Sequence, residues 1–270
     1  SGTAYDVQVV GNLAYVADGA SGLQIIDITN PAAPTRLGAY DTLGSARSVH
    51  VVGNMACVAD YSSGLQIIDV STPAAPTRSG GYDTAGLALG VQAVGNRVYI
   101  ADDSAGLQIV DITSPAAPAR LGAYDTLGSA YGVQLVGSLA YVADGDGGVQ
   151  IIDVGNPAAP THLIGYDTPG SVCRQVHVAG SLAYVADYDG GVRILQSGLP
   201  VAGVSHVSGS TYCLAFSQTP GGRYAIGIGP EIVDLSGNAM DQDNDGVPRE
   251  PSHDAYSARF SVDSSMADIV

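Results

Sequence analysis

Five copies of one sequence unit occupy everything before position 198, and that repetition restricts the fold more than any other feature. LAYVADGASGLQIIDITNPAAPTRLGAYDT, residues 13–42, returns as MACVADYSSGLQIIDVSTPAAPTRSGGYDT from Met55, then from Val98, Leu139 and Leu182. Gly11, Gly53, Gly95 and Gly137 stand 42 residues apart, and Gly180 follows after 43. Asp18, Asp60, Asp102, Asp144 and Asp187 keep the same step. A fixed period in this range signals units that pack on their neighbours.

Within one unit the pattern is that of strands. Residues 6–10 are the first, with Val at alternate positions and a turn at Gly11-Asn12. Residues 13–17 are a second strand, 22–28 a third and 35–40 a fourth. Asn30-Pro-Ala-Ala-Pro34 cannot continue a sheet, because proline lacks the amide donor. Four short antiparallel strands per unit match one propeller blade. A β-helix needs shorter rungs, and a leucine-rich horseshoe a different Leu/Asn pattern. Sheets covered on both faces by neighbouring blades explain why VQVV and LQIID are apolar nearly throughout. The fold expected is all-β: a propeller of five four-stranded blades over 1–197, at about 5–46, 47–88, 89–130, 131–173 and 174–204. Residues 200–204 are assigned as the outer strand of the fifth blade. The chain enters at an innermost strand. So either blade five supplies its own fourth strand, or the repeats belong to a longer array.

Each unit carries three fixed features with local roles. Gly22, Gly64, Gly106, Gly148 and Gly191 are expected in a backbone conformation closed to other residues. The Asp18 series is expected to accept turn amides, and Asp27, Asp69, Asp111 and Asp153 to cap the turn before each proline linker. Tyr40, Tyr82, Tyr124 and Tyr166, in the YDT triplet, are expected to pack.

From about position 199 the repeat is lost. Residues 211–216, 222–228 and 255–262 read as strands, too few for a complete sandwich, so 198–270 is expected to be a partial β-sandwich module. It contains Asp241-Gln-Asp243-Asn-Asp245-Gly246. Acidic oxygens at alternate positions and a glycine at the sixth suit a calcium loop. Ser252 stands where the helix-loop-helix version needs Glu, with Glu250 and Asp254 two residues either side. The candidate metal ligands are Asp241, Asp243, Asp245, Glu250 and Asp254, for a structural calcium ion in a non-helical loop.

Composition excludes several partners. The net charge is -16, and all ten basic residues are Arg. A nucleic-acid ligand needs a basic surface, and anionic lipid would repel this chain. An acidic, Lys-free surface suits a protein outside the cell. No apolar run is long enough to span a membrane, and no signal peptide is visible. Cys57, Cys173 and Cys213 include no Cys-x-x-Cys pair, so neither a zinc site nor a disulfide framework is expected. Cys57 replaces a repeated Tyr and reads as apolar filler. Cys173 and Cys213 could pair, but their spacing does not require it.

Function is expected where the copies differ. Tyr5, Arg47, Leu89, Tyr131 and Arg174 immediately precede the inner strands and vary while their neighbours stay fixed. At the mouth of a propeller channel they form a candidate ligand-binding ring, able to hold an anionic or carbohydrate-like group or simply to contact one another. Gln8, His50, Gln92, Gln134 and His177, one per inner strand, are a candidate channel polar ring or a set of hydrogen-bonded residues between blades. No Gly-x-Ser-x-Gly elbow, phosphate loop or His-Glu-x-x-His occurs.

VADYSSGLQIIDVSTPAAPTRSG, residues 58–80, and its counterparts resemble the LVIVD-repeat family of bacterial and archaeal proteins. The resemblance covers about 1–197. It implies a β-propeller on secreted or cell-surface proteins and supplies no catalytic residues. YAIGIGPEIVDLSGNAMDQDNDGVP, residues 224–248, is similar to the end of a bacterial Ig-like module of large secreted proteins. The expected function is therefore a non-enzymatic interaction propeller at the cell exterior, part of a larger protein, with a protein or carbohydrate ligand. A glycan-directed hydrolase or lyase using the channel mouth is the alternative.

Overall fold

In the computed structural model the first four repeats fold as the expected four-stranded blades. The structure describes residues 2–168, 172–180 and 182–196, together with the strand backbones Val201–Ser208, Thr211–Phe216, Gly222–Ile228 and Tyr256–Val262. Two compact units result, 1–197 and 198–270.

The first unit is a β-propeller of five antiparallel blades. Blade one is β1 (Asp6–Val10), β2 (Leu13–Ala17), β3 (Leu23–Asp27) and β4 (Thr35–Tyr40), paired in chain order. Blade two is β5 (Ser48–Val52) to β8 (Thr77–Tyr82), with β6 Met55–Ala59 and β7 Leu65–Asp69. Blade three is β9 (Gly90–Val94), β10 (Arg97–Ala101), β11 (Leu107–Asp111) and β12 (Ala119–Tyr124). Blade four is β13 (Gly132–Val136), β14 (Leu139–Ala143), β15 (Val149–Asp153) and β16 (Thr161–Tyr166). Blade five has three strands, β17 (Cys173–Ala179), β18 (Leu182–Asp187) and β19 (Gly191–Gln196).

The fifth blade departs from the sequence reading. Residues 200–204 were expected as its outer strand, but β20 (Val201–Ser208) pairs instead with β21 (Thr211–Phe216). The two are separated by only two residues, so a local hairpin closes at small entropic cost. In the same unit β22 (Gly222–Ile228) pairs with β23 (Tyr256–Val262). The acidic loop, with Asp241, Asp243, Asp245, Glu250 and Asp254, lies outside the described residues, as does the side chain of Cys213.

The core lies between blades rather than within them. Tyr15, Ala17, Leu23 and Ile25 on one face of blade one meet Val49, Val51, Ala56, Val58 and Ile68 on the opposing face of blade two. The same positions repeat between blades two and three, three and four, and four and five. Every internal blade therefore buries both faces, which is why its strands lack a polar side. Tyr40, Tyr82, Tyr124 and Tyr166 pack against these cores.

The turn chemistry follows the repeat. Gly22 adopts φ +66°, and a Cβ there would collide with the carbonyl oxygen of Tyr40, so both backbone conformation and close approach require glycine. Asp27, Asp69, Asp111 and Asp153 each accept the backbone N–H two residues on, at 2.7–2.8 Å. The hydroxyls of Thr29 and Thr113 together with their N–H groups, and the N–H and hydroxyl of Ser71, hold the carboxyls of Asp27, Asp111 and Asp69 below their ordinary range.

Candidate functional site at the channel mouth

Four of the five variable residues stand in one structural series, and the fifth, Arg174, lies within β17 at the register shift between Cys173 and Gln175. The backbone N–H groups of Tyr5, Arg47, Leu89 and Tyr131 donate to Ala17, Ala59, Ala101 and Ala143, extending the inner-strand ladder by one rung in each of the first four blades. Beside them runs a second series, the turn between the second and third strands of each blade. Gly19, Tyr61, Asp103 and Gly145 in that turn bridge to Ala46, Ala88, Ala130 and Cys173 of the next blade. The two series thus meet on one rim.

Side chains on that rim form two stacks. The Arg47 guanidinium lies 4.1 Å from the Tyr5 ring centroid and 4.8 Å from that of Tyr61. The Arg174 guanidinium lies 4.1 Å from Tyr131 and 5.5 Å from Tyr188. Each Arg is thus held between two aromatic faces, each such contact contributing about 0.5–1 kcal/mol at exposed sites. The second stack repeats the first three blades further along. Among the described residues neither Arg has a carboxylate at ion-pair distance. Leu89, in the blade between, carries no such stack.

Tyr61 and Tyr188 were not singled out from the sequence, though the signal was there. The copies with Arg before the inner strand (Arg47, Arg174) are the copies with Tyr after the repeated Asp (Tyr61, Tyr188), where the others have Gly19, Asp103 and Gly145. The placement of Tyr61 is costly. It sits at φ +55°, where two other copies use glycine, a conformation that costs an L-residue roughly 1 kcal/mol or more. Leu43 and Leu127 share this character. They adopt φ +67° and +66° and are almost fully exposed in the turn leading to the rim. A concavity of about 700 Å³ opens beside the second stack, lined by Leu127, Tyr131, Gln150 and Val172 among others.

The polar ring lies between blades. Gln8 accepts the Val51 N–H, Gln92 accepts that of Leu135, and Gln134 accepts that of Val178 at 2.6 Å while donating to the Val178 carbonyl. His50 does not complete the series. Its Nδ1 is buried without a hydrogen-bond partner, and burial holds its pKa below the ordinary value despite nearby Asp6. Asp6 itself accepts the Ser48 hydroxyl at 2.7 Å and the Val49 N–H at 3.0 Å. His177 is exposed on blade five. Among the described residues no cluster of three or more His, Cys, Asp or Glu could hold a metal ion.

The repeated Asp of each copy has a partner that the sequence reading did not assign. Turn amides were expected, and they are present: Asp18 accepts the Gly2 N–H, and backbone donors at Gly44, Gly86 and Gly128 serve Asp60, Asp102 and Asp144. In addition Asp60 accepts the Thr42 hydroxyl and Asp102 the Thr84 hydroxyl, both at 2.6 Å, and Asp144 accepts that of Thr126. Each Thr closes the YDT triplet of the preceding blade, so the bond crosses the junction. Asp102 also accepts the Gly86 N–H at 2.9 Å, again from the preceding blade. In blade five Asp187 pairs with Arg193. Burial raises the carboxyls of Asp60 and Asp144 to about 6, against the lowering effect of their Thr hydroxyls. Asp102 is raised for the same reason. Three equal environments in three blades mark these carboxyls as scaffold. Cys57 and Cys173 are buried free thiols, both pushed up to about 12 by burial, so neither is poised as a nucleophile.

Known proteins share the repeat and the fold. The family description LVIVD repeat matches residues 1–42, 43–84, 85–126, 127–168 and 169–195. No curated protein matches. Among solved structures, a protein from Bacteroides uniformis named a 6-phosphogluconolactonase is 12% identical with a TM-score of 0.59, over 78% of this chain and 77% of its own. A functionally unknown protein from Desulfotomaculum acetoxidans is 16% identical at TM-score 0.58, over 68% and 63%. The Cps50 (Swd1) β-propeller domain of Myceliophteria thermophila is 13% identical at TM-score 0.54, over 68% and 65%. At such identities the likeness is one of fold alone.

Proposed function

The chain belongs to the LVIVD repeat family, and from that premise we propose that it is a non-enzymatic interaction propeller of the cell exterior whose channel mouth binds a protein or carbohydrate partner. The observation that carries this reading is the pair of Tyr–Arg–Tyr stacks at non-repeating positions. Aromatic residues and Arg dominate binding energy at recognition surfaces, because they bring large contact area at low entropic cost. Exposed Leu43 and Leu127 beside them add apolar area. Leu43 and Leu127 are almost fully exposed yet held in left-handed backbone, a cost that packing does not recover and a pattern found at functional sites. The perturbed carboxyls are buried and recur from blade to blade, which fits scaffold better than a hydrolase or lyase.

The unit 198–270 belongs to this reading as part of an Ig-like module, with calcium held by Asp241, Asp243, Asp245, Glu250 and Asp254. The support is the alternating acidic sequence and the acidic, Lys-free composition. The test of the mouth is an array of acidic and neutral glycans and of extracellular protein domains, probed with the wild-type chain and with Arg47→Ala/Arg174→Ala. The reading expects the wild-type signals to disappear in the double variant. Signals indifferent to both substitutions would remove the mouth from consideration.

A further inference from the structure

The first Tyr–Arg–Tyr stack leaves part of its arginine unused. A guanidinium carries its N–H donors in its own plane and none on its two faces. Arg47 has given both faces to rings, to Tyr5 at 4.1 Å and to Tyr61 at 4.8 Å. Its Nε is buried without a hydrogen-bond partner, and among the described residues no carboxylate lies at ion-pair distance. Asp6, next to Tyr5, is engaged instead by Ser48 and Val49. A buried N–H without an acceptor costs more than an ordinary hydrogen bond contributes, and Tyr61 adds left-handed strain. Two ring contacts do not offset both costs, so packing alone does not account for the arrangement. It is also built twice. A Cβ on Gly19 would lie 3.2 Å from the Tyr5 ring, and one on Gly145 would lie 3.2 Å from the Tyr131 ring. In both copies a bare glycine turn meets the first Tyr, and an Arg stacks on that Tyr.

The free edge of such a guanidinium selects an anion. A carboxylate matches it best, because two coplanar oxygens meet two parallel N–H donors. On a chain of net charge -16, a singly charged group also approaches at less cost than a multiply charged phosphate. The surroundings indicate what bears the carboxylate. The turn leading to Arg47 holds Leu43, 90% exposed, which suits an apolar side chain better than a hydroxylated sugar. Tyr5 and Tyr61 have each given a face to the guanidinium, and ring faces are what a sugar would stack on. We infer that Arg47 receives the carboxylate of an Asp or Glu in an acidic, partly apolar segment of a protein partner. Because Nε is enclosed, the Nη N–H groups make the contact. This rests on the reading of the mouth as a binding surface and names the chemistry that the surface selects.

The test is NMR of the full chain at neutral pH, following the arginine side-chain signals. Ten Arg give at most ten signals, and the one missing in Arg47→Lys belongs to Arg47. Lysine keeps the charge but not the planar fork; Arg47→Gln gives a second, independent assignment. The probes are acetyl-Leu-Glu-Leu-amide, its Gln analogue, sodium glucuronate and inorganic phosphate. The Glu peptide is expected to move the Arg47 signal saturably, with a dissociation constant of about 1 mM, and to bind at least about tenfold more tightly than the Gln peptide. An Arg47 signal that ignores the Glu peptide, or answers both peptides equally, would overturn the inference. A stronger response to glucuronate or to phosphate would overturn it too, giving the site to an acidic glycan or to a phosphorylated ligand. If array signals vanish in Arg47→Ala/Arg174→Ala while the Glu peptide leaves Arg47 unmoved, the mouth binds without a carboxylate and this inference alone falls. Array signals indifferent to both substitutions overturn the reading of the mouth, and this inference with it.

Discussion

Removing the Thr42 hydroxyl tests the cross-blade bond to Asp60. Thr42→Val keeps the side-chain shape and opens no cavity, so the loss isolates one hydrogen bond. Both residues are buried, and the bond is 2.6 Å long. A hydrogen bond to a charged group contributes about 1.5–3 kcal/mol, one to a neutral group about 0.5–1.5 kcal/mol. Burial raises the Asp60 carboxyl to about 6. It is therefore mostly charged at pH 8 and mostly neutral at pH 5. The sign follows. A raised carboxyl pKa favours the fold below the unfolded value, and that stability is lost as pH rises through about 6. In wild type the Thr42 hydroxyl limits this loss by stabilising the charged form. Its removal should therefore cost about 2 kcal/mol at pH 8 and roughly half that at pH 5. For a unit of this size the melting temperature falls by about 4–8 °C at pH 8 and about 2–4 °C at pH 5. Circular dichroism melts at both pH values measure it. An equal loss at the two pH values, or a larger one at pH 5, would refute the reasoning.

Three further outcomes are expected. Ile67→Ala opens a cavity between blades two and three and should cost about 2–5 kcal/mol, whereas Ile194→Ala, the same residue type on the exposed face of blade five, should cost under about 0.5 kcal/mol at low protein concentration; denaturant titration of both variants compares them. Gly64→Ala places a Cβ against the backbone of Tyr82 and Thr84 at φ +63°, and its midpoint should fall by more than the roughly 1 kcal/mol of left-handed strain alone. Calcium should raise the melting temperature of the full chain, chelator should reverse it, and Asp243→Ala should abolish both responses; a wild-type chain indifferent to calcium would remove the metal from the account.

Strand positions were legible because the repeat is nearly exact in spacing. Five copies of VADxxxGLQIID-like sequence locate turn glycines and apolar strands together, and burial on both sheet faces accounts for the missing alternation. What the period does not encode is pairing at its own edge. Residues 200–204 have strand-like composition, yet nothing in that composition chooses between the edge of β19 and a hairpin with 211–216. The cross-blade Thr42–Asp60 bond was hidden for a related reason. Thr42 and Asp60 repeat equally well, so neither stands out, and their 18-residue separation gains meaning only once the blades are stacked. The mouth was half legible. Variation marked Arg47 and Arg174, but their second partners lie 14 residues further on, in a turn whose left-handed backbone at Tyr61 favours glycine over tyrosine. Where Tyr replaces Gly in such a turn, the sequence was already reporting a side chain kept for contact rather than for conformation.

That turn supplies the most direct test of the central claim, that the blades are scaffold and the mouth binds. Tyr61→Gly relieves the left-handed strain and removes one face of the Arg47 stack, contributions of similar size and opposite sign, about 1 kcal/mol each. Binding to whichever array ligand the wild-type chain captures would be measured by titration calorimetry, alongside the melting temperature. The account predicts a melting temperature within about 4 °C of wild type and an affinity at least about tenfold weaker, the equivalent of about 1.4 kcal/mol. Unchanged affinity at unchanged stability would contradict it.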